Sequence, residues 1–111
     1  METTVYKVYV FIPTESLEKV IKALQKGHIN QLGNYKNCMS WQKVESTWVS
    51  LSGAVPYDGK VGKTTRAEEY KLEFLCEEKN LKKAVALIRK NHPYEEVEID
   101  VIPMIYGMNL L

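Results

Sequence analysis

Apolar residues fall into two stretches of helical spacing, each preceded by a stretch in which they alternate. Leu17, Val20, Ile21 and Leu24 recur at i, i+3, i+4 and i+7 within LEKVIKALQKGH, and Leu81, Ala84, Val85 and Ile88 do the same within LKKAVALIRKNH. That spacing places each set on one side of a helix. Upstream, Tyr6, Val8, Val10 and Ile12 alternate with other residues, as do Tyr70, Leu72, Phe74 and Cys76, which is the period of a strand. The offset between the copies is 64 positions in both strand and helix. A strand–helix unit therefore occurs twice.

The flanking residues define where these elements stop. Pro13 ends the first strand, Thr14 is placed to cap the first helix with Glu15 and Glu18 at its positive end, and Asn80 is the equivalent cap in the second copy. Lys26, Arg89 and Lys90 close the helices, followed by Gly27 or Asn91, both tolerant of a left-handed backbone. Pro93 forbids further helix. From Tyr94 to Pro103, Val97, Ile99 and Val101 face one way and Glu96, Glu98 and Asp100 the other, a half-buried strand. Cys38 to Leu51 is β-rich and reads as one strand or a short hairpin. Residues 52–66 form a long Gly/Pro/Lys loop, a length that marks a functional element, and 104–111 form a tail.

The order β–α–β–loop–β–α–β predicts an α+β, ferredoxin-like βαββαβ sandwich: an antiparallel sheet with two helices on one face. Strands Tyr6–Ile12 and Tyr70–Cys76 are expected at its centre. The predicted core is Val8, Val10, Leu17, Val20, Ile21, Leu24, Leu72, Phe74, Leu81, Val85 and Ile88. Val5, Tyr9 and Phe11 occupy the other side of the first strand, so both faces read as apolar. A partner subunit is the expected cover, giving a homo-oligomer.

Composition narrows the class. The 111 residues suit one domain, 1–111, and 45% hydrophobic with 26% charged is ordinary globular usage. A net charge of +1 gives no composition-level reason to expect nucleic acid or a membrane surface as partner. No apolar run approaches the ~20 residues of a membrane span and no signal-peptide core is visible, so a cytoplasmic protein is expected. Cys38 and Cys76, outside any C-x-x-C arrangement, read as reduced thiols.

The chemistry-bearing residues are few. Gly59-Lys60-Val61-Gly62-Lys63-Thr64 has two residues between its glycines where a phosphate loop needs four, and a strand follows where a helix should. The remaining reading is a mobile basic loop whose Lys60, Lys63 and Arg66 could meet a small anion. His28 and His92 stand at equivalent ends of the two helices, where each imidazolium is favoured by the helix dipole. No nucleophile–base pair is visible, so no enzyme is expected.

His92-Pro93-Tyr94-Glu95-Glu96, the loop Gly53-Ala54-Val55-Pro56-Tyr57-Asp58-Gly59-Lys60-Val61-Gly62, and Gly33-Asn34-Tyr35 followed by Cys38 occur in an order that resembles the PII/CutA-like insert domain of the YqfO family. The resemblance runs from about Tyr6 to Pro103, and the HPYE segment is also similar to the carboxyl-terminal strand of the CutA divalent-cation tolerance proteins. One departure is the spacing of Gly27-His28 from Gly33-Asn34-Tyr35, where the module usually reads G-H-I-G-N-Y. The resemblance implies a ferredoxin-like fold and a closed assembly, trimer preferred and dimer the alternative. The resemblance does not extend to the flanking domains that carry the family's dinuclear metal site, so their hydrolase-like activity is not expected of these residues.

The reading placed first is a binding or regulatory module of PII/CutA type. A purely structural or protein-interaction module comes second and an enzyme third. Pro56, Tyr57, Gly59, Lys60, Gly62 and Lys63 are the expected effector loop. No cofactor is required by the sequence, but His92 with Glu95 or Glu96, joined by His28 of a neighbouring subunit, forms a mixed imidazole–carboxylate set acceptable to zinc or copper.

Overall fold

A computed structural model describes residues 5–111. Strand β1 (Val5–Pro13) leads through a 3-10 turn at Thr14–Ser16 into α1 (Leu17–Gly27). A small hairpin, β2 (Gln31–Leu32) and β3 (Tyr35–Lys36), precedes β4 (Ser40–Val49). A loop then leads to β5 (Thr64–Glu77), α2 (Glu78–Asn91), β6 (Ile99–Met104) and a final 3-10 turn at Gly107–Leu110. The main sheet has the order β4-β5-β1-β6, antiparallel throughout. The two duplicated strands are its central neighbours, with Val8 opposite Phe74 and Val10 opposite Leu72. This is the expected α+β arrangement.

The helices pack on the face that carries Val8, Val10, Ile12, Leu72, Phe74 and Cys76. Val20, Leu24, Ala84 and Ile88 are fully buried against them, joined by Ile29, which the periodicity does not single out. Leu81 only borders this core, and Val85 lies outside it, half-buried in a shallow groove beside Val101. The helices meet closely because Gly27 has no side chain: a Cβ there would overlap Leu87 Cδ1.

Several local expectations are corrected. β5 runs directly into α2, so that helix begins at Glu78 and Asn80 is inside its first turn. The Asn80 amide instead donates to the Ile29 carbonyl at 3.3 Å. Thr14 makes no capping hydrogen bond to α1; its hydroxyl donates to the neighbouring Glu15 carboxylate at 3.3 Å. The left-handed residue after α1 is His28 (φ 51°), not Gly27, and Asn91 remains helical. Residues 94–98 are irregular, with the last strand starting at Ile99. Thr64–Arg66 belong to β5 rather than to the loop.

The second face of the sheet is less apolar than β1 suggests. Lys7, Tyr9 and Phe11 pair with Leu75, Glu73 and Lys71 of β5. The Lys71 ammonium lies 4.6 Å from the Tyr9 ring centroid and 5.8 Å from that of Phe11, and Lys7 pairs with Glu73 at 3.8 Å. Alkyl stems and cation–π contacts thus shield part of Tyr9 and Phe11, which remain half-buried.

The hairpin is held by Asn30. Its amide donates to the carbonyls of Cys38 (2.9 Å) and Leu75 (2.8 Å), and its oxygen accepts from the Cys38 N–H (2.9 Å). Between the two short strands, Gly33 (φ 59°) supplies the positive φ of a two-residue turn. The residues that separate Gly27-His28 from Gly33-Asn34-Tyr35 therefore form an ordered element.

Candidate functional site

A cleft of about 760 Å³ opens where the carboxyl end of β4, the following loop and the HPYEE segment meet β5. Phe11, Trp48, Tyr57 and Tyr94 are its aromatic lining. Tyr94 is central, with its ring centroid 6.0 Å from Trp48, 5.8 Å from Tyr57 and 4.6 Å edge-on from His92. Beneath it lies Glu69 of β5, 3% exposed, whose carboxylate accepts a 2.7 Å hydrogen bond from the Tyr94 hydroxyl. Burial and the adjacent Glu69 push the Tyr94 phenol well above its ordinary range, so it stays a donor.

The loop is tied down at both ends. Ala54 N–H donates to the Leu51 carbonyl (3.0 Å) and Gly62 N–H to that of Ser50 (2.7 Å). Across the cleft, Val55 N–H donates to Glu95 Oε1 at 2.8 Å, while the Tyr57 hydroxyl bonds Glu15 in the turn after β1. That hydroxyl holds the Glu15 carboxyl below the ordinary range, and Glu15 in turn raises the Tyr57 phenol. A long insertion between edge and central strands is thereby converted into a wall.

The effector-loop residues divide. Pro56 and Tyr57 line the cleft and Gly59 packs over Thr65, but Lys60, Gly62 and Lys63 are exposed outside the lining, on the stretch that leads into β5. Arg66, the third cation of the anion reading, is paired to Glu45 at 2.6 Å. The basic loop therefore does not place its charge in the cleft.

The four metal candidates are also separated within one chain. His92 is 7% exposed with both ring nitrogens engaged: Nε2–H donates to the Phe11 carbonyl (2.7 Å) and Nδ1 accepts from Tyr94 N–H (3.2 Å). Burial lowers its pKa, opposed by the Phe11 carbonyl and by Glu69, which favours the neutral ring this geometry uses. Glu95 holds the loop and Glu96 is exposed on the cleft rim. His28 is exposed near Lys79 and Asn80, at the opposite end of α2 from His92. Fourteen helical residues place the two histidines about 20 Å apart. Among the described residues no cluster of three or more His, Cys, Asp or Glu side chains could hold a metal ion.

Glu69 and Trp48 are the site residues that sequence reasoning missed. Glu69 precedes the alternating apolar set of β5 and shares the register side of Lys71 and Glu73, so it reads as solvated. Trp48 was visible as a strand residue, but nothing local says that the HPYEE segment folds over it.

No family model matches the chain. It is 35% identical over 101 residues to a GTP cyclohydrolase 1 type 2 homolog of Halalkalibacterium halodurans, covering 91% of this chain and 27% of that protein. The homolog of the same name from Bacillus subtilis is 32% identical over 98 residues, covering 88% and 26%. The chain thus spans about a quarter of the length of these relatives. Among solved structures, a Bacillus cereus protein related to NIF3 superposes with a TM-score of 0.80 at 31% identity, over 94% of this chain and 26% of that one. CutA from Archaeoglobus fulgidus gives 0.69 at 17% identity, over 93% and 86%. The chain belongs to the family of the GTP cyclohydrolase 1 type 2 homologs and has the fold of CutA. Bacillus subtilis GlnK, solved as a complex with ATP, shares the fold of this PII/CutA-like domain at a TM-score of 0.65 and 12% identity, over 94% of this chain and 84% of GlnK. Among the described residues no helix is long and apolar enough to cross a membrane. The relatives' name establishes no catalysis in this chain.

Proposed function

We propose that this PII/CutA-like domain is a small-effector-binding module that works as a homo-oligomer, a trimer in preference to a dimer. The observation that carries this reading is the built cleft: a long loop fixed by Val55–Glu95 and Tyr57–Glu15 against an aromatic wall of Trp48 and Tyr94. A pocket of about 760 Å³ with mixed aromatic and polar lining is the size and character of a small-molecule site. GlnK, with the same fold, was solved with a small molecule bound.

A divalent ion held between subunits is the alternative. It would have to displace both hydrogen bonds of the His92 ring, or do without that ligand. The effector reading requires no such rearrangement.

The test is amide hydrogen exchange on the intact oligomer across a library of small metabolites, with zinc and copper as separate additions. Light scattering on the same sample reports subunit number. The reading expects a compound that slows exchange over residues 51–58 and at Tyr94. If every compound leaves those amides unchanged at millimolar concentration, the module is structural. Slowed exchange confined to His92 and Glu96 on adding zinc or copper would favour the metal alternative.

A further inference from the structure

We infer that the ligand class of the cleft is an organic cation: an amine or amidinium carried on a flat apolar body. This rests on the effector-binding reading above and specifies its chemistry. Glu69 is 3% exposed, lines the cleft, and has the Tyr94 hydroxyl as its one side-chain partner among the described residues. None of the four ion pairs among those residues uses it. A buried carboxylate without a cation is costly, and a bound ammonium or amidinium would supply the missing partner.

The rest of the lining agrees. Asp58, Glu95, Glu96 and Glu98 join Glu69, so five carboxyl groups meet no Lys, Arg or His on the cleft wall. Asp100 and Glu69 help push the Glu98 carboxyl above its ordinary range, as crowding of acids should, although Lys71, outside the lining, opposes the shift. The whole chain carries a formal charge of +1, so this negative field comes from placement and not from composition. Trp48, Tyr57 and Tyr94 line the cleft, and aromatic rings attract cations and stack on planar groups. A nucleotide would set its phosphates against the carboxylates, while Lys60 and Lys63 stand outside the lining.

The probes are two pairs with matched bodies and opposite charge: tryptamine with indole-3-acetate, and benzamidine with benzoate, plus ATP. Calorimetry and the Val55 amide resonance of the intact oligomer are read for each. Tryptamine and benzamidine should bind, move the Val55 resonance, and weaken as salt is added. Glu69→Gln keeps the shape and the acceptor for Tyr94 but removes the charge, and should weaken tryptamine roughly tenfold. Should Glu69→Gln fail to fold, the exposed pair Glu96→Gln/Glu98→Gln carries the same expectation at a few-fold loss. Binding of indole-3-acetate, benzoate or ATP in preference to the cations overturns the ligand class while leaving the effector cleft standing. Absence of any response to the cations at millimolar concentration also overturns it, and the metabolite exchange experiment then decides separately whether the cleft binds anything.

Discussion

The Tyr94 hydroxyl reaches from the segment after α2 to the buried Glu69 carboxylate of β5 and donates to it at 2.7 Å. This bond joins two parts of the chain 25 positions apart and sets the floor of the cleft. Because burial and Glu69 itself raise the Tyr94 phenol, the donor persists through the neutral and alkaline range.

Tyr94→Phe should therefore destabilise the fold by about 1–3 kcal/mol, since a buried acceptor loses its donor while the ring packing remains. Adding Glu69→Gln to Tyr94→Phe should recover part of that loss, because a neutral amide costs less to leave unpaired than a carboxylate. Urea unfolding of the two variants checks this; equal stability of Tyr94→Phe and wild type would mean that the bond contributes nothing.

Acid should weaken the protein through His92. Its folded pKa lies below the ordinary value of 6.5, so the unfolded chain takes up the proton first. The stability associated with the neutral ring is complete above that value and is lost as pH falls below it toward the folded pKa. The slope there reaches at most about 1.4 kcal/mol per pH unit. In His92→Gln, whose amide can still donate to the Phe11 carbonyl, this part of the pH dependence should vanish. Denaturant midpoints measured from pH 8 to pH 5 give the comparison, and parallel curves for the two proteins would contradict it.

Asn30 offers a sharper stability test than most core positions. It is 6% exposed and satisfies three backbone groups of Cys38 and Leu75. Asn30→Ala should cost about 1–3 kcal/mol through the orphaned groups. It should also raise hydrogen exchange of the Cys38 amide selectively. Loss of stability without that local exchange would point to packing instead of hydrogen bonding.

Gly59 and Gly62 both take positive φ, 92° and 80°, so alanine is strained at either. They differ in surroundings: a Cβ on Gly59 would overlap Thr65 Oγ1, whereas at Gly62 the space is open. Gly59→Ala should thus lower the melting temperature more than Gly62→Ala and disturb any ligand that uses the loop. Equal shifts for the two would show that backbone strain alone decides.

Residues close in sequence determined most of the frame. Each alternating run ends five positions before its helical stripe begins, and the duplication of that unit predicts β1 and β5 side by side, as they are. Parts of the HPYEE and Gly53–Gly62 segments, singled out by their motifs, line the cleft. Tertiary structure alone decided what those walls enclose. Glu69 carries a strand-surface pattern, and only the fold of Tyr94 over it makes it a buried acid. His92 reads as a ligand because imidazole is one, yet Phe11, 81 positions away, takes up its Nε2–H. Likewise Lys71 covers Tyr9 and Phe11, a cation from β5 lying across apolar residues of β1. Periodicity reports which side of its own element a residue occupies. What lies across from that side is fixed by contacts between distant segments, and those set the burial and partners on which the chemistry depends.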